Sequence, residues 1–192
     1  MSPHRITQVW VLVLGTSLSL EAFASDGKEP GAVLADRVVS VLGESIITLT
    51  EVGFEEALHP HVASPIPPLA NPDMEALQRL EDMRLLLLLA GDVPLYAPDR
   101  SQLDARLVEV RSTWDGEKAY LAFLAQWGMT EADLRSHLRN RMVVESYIHR
   151  NVGLSLEWES EQVGWAAVYI TAYEDWIAPR RTEARARRIP AR

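Results

Sequence analysis

The chain has 192 residues, a formal net charge of −8 and no cysteine. The missing cysteines exclude disulfides, thiolate catalysis, cysteine-ligated metals and a lipidated N-terminal cysteine. The acidic balance argues against nucleic-acid binding.

Residues 1–24 read as a secretory signal peptide. Arg5 supplies the positive start, Val9–Leu20 is largely apolar, and Ala22-Phe23-Ala24 fits a small-x-small cleavage site. The apolar run falls short of the roughly 20 residues a bilayer span needs, and Glu21 interrupts it. Stable membrane insertion after cleavage is therefore not expected. Residues 25–31 form a polar linker, and 32–192 form one domain. A secreted domain without disulfides must be held by its core, which suits the periplasm.

Arg37–Leu42 and Ser45–Leu49 are β-branched runs joined by Gly43-Glu44, and predict a hairpin. Thr50 is placed to cap a short helix that starts at Glu51 and closes at Pro60. His59–Asp73 contains five prolines and reads as an irregular loop over the surface. His59 and His61 are read there as solvated histidines, not metal ligands. Met74–Ala90 is a helix on a stripe of Leu77, Leu80 and Leu88. The five leucines of Leu85–Leu89 make its second half apolar nearly all round. Gly91 stops it, and Asp92–Asp99 is a connector.

Ser101–Trp114 is a helix with Leu103, Leu107, Val110 and Trp114 on one face. Glu117–Trp127 is a shorter one with Tyr120, Leu121, Leu124 and Trp127 available for burial. Thr130–Val152 is the clearest helix of the chain. Thr130 and Asp133 form a capping box, Leu134, Leu138 and Met142 make an apolar stripe, and Gly153 sits at a natural C-cap position. Arg135, Arg139, Arg141 and Arg150 fall on positions read as solvent-facing, and His137 and His149 as surface histidines. A last helix spans about 157–178. Trp165, Tyr169, Tyr173 and Trp176 recur along one of its faces, either to dock it on the bundle or to offer an aromatic shelf. Pro179 is expected to end or kink it. The arginine-rich tail from Arg180 to Arg192 reads as a solvated terminus. The fold class is mostly α: a small helical domain with a short N-terminal β-hairpin.

No motif for phosphate binding, zinc proteolysis or serine nucleophiles is present. The pairs Glu55/Glu56 and Glu159/Glu161 are common helix-surface glutamates. No enzyme, cofactor or metal is expected.

Several stretches in order resemble the N-terminal chaperone module of the SurA family of periplasmic chaperone/peptidyl-prolyl isomerases. Asp36-Arg37-Val38-Val39 followed by Ile46-Ile47-Thr48 is similar to its opening hairpin. Leu77–Leu86 is similar to its helix ending in leucines. Trp127–Arg135 and Tyr147–Val152 are similar to its glycine, capped helix and closing segment, and Trp176–Ile189 to its terminal helix and returning end. The resemblance covers most of 36–189 and leaves no room for an isomerase domain. It implies a holding chaperone for unfolded outer-membrane or envelope polypeptides, without isomerase activity, as a monomer or a helix-exchanged dimer. The residues expected to meet such clients are Leu86, Leu89, Trp114, Met129, Met142, Trp165 and Tyr169. A different class of reading is a non-catalytic envelope adaptor with one defined protein partner.

Overall fold

The computed structural model describes residues 36–156 and 164–190. The expected signal peptide, linker, Trp158, Glu159, Glu161 and Arg192 lie outside them. The described chain is mostly α-helical with a small antiparallel sheet.

Strands β1 (Val38–Leu42) and β2 (Ser45–Thr48) form the expected hairpin, with Val41 opposite Ile46 and Leu42 opposite Ser45. An irregularity between Val38 and Ser40 breaks the alternation, so that the consecutive residues Val39 and Ser40 are both buried. Helix α1 (Leu49–Leu58) is capped by Thr48, not by Thr50. The Thr48 hydroxyl accepts from the Glu51 amide at 3.3 Å, and the Glu51 carboxylate accepts from the Thr48 amide at 2.9 Å. Thr48 has a glutamate three residues on whereas Thr50 has Gly53, so only Thr48 completes the reciprocal pair. Gly53 has a packing role: a Cβ there would lie 2.7 Å from the Trp127 ring.

The proline-rich stretch is not a surface loop. It makes a 3₁₀ turn at His59–His61 and a single helical turn α2 (Pro67–Ala70), and it buries Val62, Ile66, Pro68 and Leu69. Proline lacks an N–H, so the segment cannot satisfy its own carbonyls by a regular ladder. Arginines from three helices do so instead. Arg79 donates to Asn71 O at 3.4 Å, Arg141 to Leu69 O at 2.9 Å, and Arg106 to Ala63 O. Ser64 donates to the Glu145 carboxylate at 2.8 Å.

Helix α3 (Ala76–Ala90) ends at Gly91. Its leucine run does not all face inward. Leu85 and Leu86 are buried, but Leu88 is 64% and Leu89 44% exposed. Five consecutive residues sweep more than a full turn at about 3.6 residues per turn, so some must face water. A 3₁₀ turn at Pro94–Tyr96 leads into α4 (Arg100–Ser112), where Asp99 and Gln102 form a capping box. Helix α5 (Gly116–Gln126) buries Tyr120, Phe123 and Leu124, while Leu121 is exposed.

Helix α6 (Glu131–Asn151) has the expected Thr130–Asp133 capping box. It is the spine between two cores. Leu134 and Leu138 pack with Phe54, Leu58, Leu107 and Phe123. Val144 and Ile148 pack with Leu69, Leu86, Tyr173 and Ile177. A third small cluster, Val39, Ile47 and Leu80, lies under the hairpin. Arg141, read as solvent-facing, is 1% exposed on this helix. Its NH1 reaches Glu55 Oε1 at 3.3 Å, which also accepts from Arg79 Nε at 2.6 Å, and His137 Nε2 stands 3.2 Å from Glu55 Oε2. His137 is accordingly no ordinary surface histidine. Burial disfavours the Glu55 carboxylate, but His137 and the charges of Arg141 and Arg79 outweigh it and hold its pKa at about 2.

Helix α7 (Trp165–Ala184) runs through Pro179 instead of ending there. Beyond the proline it is anchored by Arg181, which donates to Asp82 Oδ2 and to Glu174 at 2.6 Å each. Tyr173 donates to Asp82 at 2.9 Å. Residues 185–190 of the tail are exposed, as expected, but this stretch pairs with the sheet. Arg187–Arg188 form β3, antiparallel to β1, giving the order β2-β1-β3. Arg188 pairs with Glu81 at 2.7 Å, and Glu81 also accepts from the Ser40 hydroxyl at 2.7 Å.

Leu86→Ala is expected to cost about 2–5 kcal/mol and Leu88→Ala to stay within about 0.5 kcal/mol, measured by urea unfolding. Glu55→Gln leaves two buried guanidiniums poorly compensated, with an expected loss of roughly 3–5 kcal/mol at neutral pH. The Glu55 pKa is lower in the folded chain, so its stabilisation is complete above the ordinary glutamate range and is lost as pH falls towards about 2. The stability gap between the wild type and Glu55→Gln should therefore narrow across that window.

Candidate functional site

Several chain segments border an open cleft of about 570 Å³. The proline-rich segment gives Pro65 and Ile66, and the connector gives Leu95 and Pro98. Helix α6 gives Met142, Glu145 and His149, and α7 gives Trp165 and Tyr169. The walls exist because of the contacts described above. Ile66 is held inward by the hydrogen bond of its amide to Ser64 Oγ at 3.2 Å and by the Ser64–Glu145 bond. The connector is held on α6 by the Tyr96 ring, which meets Tyr147 edge-on at 5.1 Å.

Of the residues expected to meet clients, three converge here: Met142, Trp165 and Tyr169. The others are elsewhere. Leu86 is fully buried in the main core, which corrects its reading as a lining residue: it faces inward on α3, beneath α6 and α7. Leu89 is exposed near the end of α3, outside the cleft. Trp114 is stacked on His61 with ring centroids 3.7 Å apart and tilted against Phe123 at 4.4 Å. Met129 is half-buried against the same cluster. On the aromatic face of α7, Tyr169 and Tyr173 are buried while Trp165 and Trp176 are half-buried, so the stripe mainly docks the helix. Only its Trp165 end borders the cleft.

The cleft floor has a polar irregularity. Tyr169 is 1% exposed, and its hydroxyl has no hydrogen-bond partner among the described residues. Burial pushes its pKa up to about 12, so it is a neutral O–H at any physiological pH. Helix α6 does not end on a left-handed Gly153, as the expected C-cap would. Gly153 instead opens a 3₁₀ turn over Gly153–Ser155 and is buried. It is required for close approach: a Cβ there would lie 2.7 Å from both the Tyr169 hydroxyl and His149 Nδ1. On the cleft wall, Glu145 is held by Arg106 at 3.4 Å and by Ser64, and burial raises its pKa.

Sequence reasoning missed Pro65, Ile66, Leu95 and Pro98, because they sit in segments read as surface connectors. Alternating proline and apolar residues in Ser64–Leu69 were the available signal. Among the described residues no group of three or more His, Asp or Glu is arranged to hold a metal ion, and no helix is long and apolar enough to cross a membrane. Apolar and aromatic side chains line the cleft together with the polar Gln102, Glu145 and His149, a mixture that ligand-binding clefts share.

Gly153→Ala must push the Tyr169 and His149 side chains apart, and is expected to cost about 1–3 kcal/mol in urea unfolding.

Comparison with known proteins gives no relative: no family model, no curated protein and no solved structure matches this chain.

Proposed function

We propose that this domain is a holding chaperone of the envelope, of the kind its sequence resembles. It binds unfolded outer-membrane or envelope polypeptides and has no isomerase activity. The observation that carries this reading is the open cleft between the proline-rich segment, the connector, α6 and α7. Ile66, Leu95, Met142 and Trp165 offer it varied apolar shapes, including a flexible thioether. Such a surface buries an apolar side chain in several registers without demanding one sequence, which is what a holding function needs. The proposed setting is the periplasm, reached through the N-terminal signal.

An envelope adaptor with one folded partner is the second reading. It is favoured by a separate observation, the exposure of Leu88, Leu89 and Val93 at the end of α3 and its following turn. Exposed apolar side chains grouped this way mark contact surfaces.

Light scattering separates the two. Residues Ser25–Arg192 should suppress aggregation of an outer-membrane protein diluted from urea at near-equimolar ratio. Leu95→Glu is expected to reduce the suppression several-fold while leaving stability within about 0.5 kcal/mol, because Leu95 is 59% exposed. Leu88→Glu should leave suppression unchanged. Failure of the wild type to suppress, with its circular dichroism intact, would sink the chaperone reading.

A further inference from the structure

The Tyr169 hydroxyl is buried beside Gly153 and the His149 ring, and among the described residues it has no hydrogen-bond partner. An unmade buried hydrogen bond costs about 1–3 kcal/mol, and such a group in a folded protein calls for a reason. Its neighbours show that the gap is built. Glycine at 153 keeps clear the one point that a Cβ would fill beside the hydroxyl, and the His149 ring approaches the same point. Gly153, His149 and Tyr169 all border the cleft. The Trp165 indole borders the same cleft and meets the Tyr169 ring edge-on with centroids 5.2 Å apart. That indole is half-buried and donates one long hydrogen bond among the described residues, Nε1 to Leu156 O at 3.3 Å.

We infer that Tyr169 is the polar anchor of the cleft: its O–H donates to a main-chain carbonyl of the bound polypeptide once the Trp165 indole moves aside. This rests on the proposed polypeptide-binding function and specifies its recognition chemistry. A main-chain carbonyl is the one acceptor that every residue of an unfolded chain presents. A donor at the cleft floor therefore adds affinity without selecting sequence, and the apolar walls take whatever side chain flanks it. A neutral phenol suits this role better than a charged group, which would need a counter-charge in its ligand.

The test compares the wild type, Tyr169→Phe and Leu95→Glu in binding fluorescein-labelled, reduced and carboxymethylated α-lactalbumin, a permanently unfolded chain, by fluorescence anisotropy. Thermal unfolding is measured alongside. Tyr169→Phe keeps the ring and removes only the hydroxyl. The expected result is a Kd raised about 5- to 10-fold with an unchanged or higher unfolding midpoint, because an unsatisfied group has gone. A lower midpoint with unchanged Kd would mark the hydroxyl as part of the fold and overturn the inference. So would an unchanged Kd at an unchanged midpoint, or a Kd and midpoint that worsen together. If Tyr169→Phe binds like the wild type while Leu95→Glu does not, the cleft reading stands and the anchor alone is wrong. A wild type that binds nothing overturns both.

Discussion

The fold depends on one buried carboxylate. Glu55 on α1 is fully buried, and it gathers Arg79 from α3 and both Arg141 and His137 from α6. Two guanidiniums at 3% and 1% exposure would be prohibitively costly alone, since a buried charge must be compensated. Glu55 compensates them, and each arginine also donates to a carbonyl of the proline-rich segment. The same cluster thus fixes three helices to one another and fixes a segment whose own hydrogen bonds are confined to short turns. The net contribution of such a cluster to stability is modest compared with an apolar replacement. What it contributes is register, because Glu55 meets Arg79, Arg141 and His137 together only when α1, α3 and α6 are set against one another in this way.

That register sets the cleft. The proline-rich segment forms one wall through Pro65 and Ile66, and α6 forms another through Met142 and Glu145. Both elements are bound by Arg141, which also lies 3.8 Å from Glu145. The two walls are therefore not independent, and the proposed binding surface is preorganised by ionic contacts in the core below it. Preorganisation limits the ordering cost of binding, which matters for a shallow apolar surface with little affinity to spare.

The legible parts of the sequence were those with strong local signals. The hairpin followed from β-branched runs, and α6 from its capping box and apolar stripe. The errors share a physical cause: a residue type was read by its usual environment. Arg141 was placed outside because arginine usually is, yet it stands one turn from both Leu138 and Glu145 and serves a buried acid 86 residues away in sequence. The prolines of 60–72 were read as exposed, although proline excludes only regular hydrogen bonding and not burial. Pro179 is expected to end or kink α7; the helix does not end there, and Arg181 and Tyr173 anchor it to Asp82. For the cleft, Met142, Trp165 and Tyr169 were recognisable as apolar or aromatic. The unpaired state of the Tyr169 hydroxyl depends on Gly153 and His149 coming close in space, which no spacing rule encodes.

The third strand has a bearing on how the chain reaches this state. Ser40 pairs with Arg188 and the Ile189 amide bonds Val39 O, so the sheet is closed by residues from opposite ends of the described chain. Contacts of such separation form late, because nearly the whole chain must be ordered before they gain anything. During synthesis β1 would wait with one edge open until the last helix had left the ribosome, and an open edge invites pairing with other chains. Arg187 and Arg188 on the closing strand, with Glu81 fixed to receive Arg188, make the final step a charge-matched one, so the right strand is favoured over a stray apolar one.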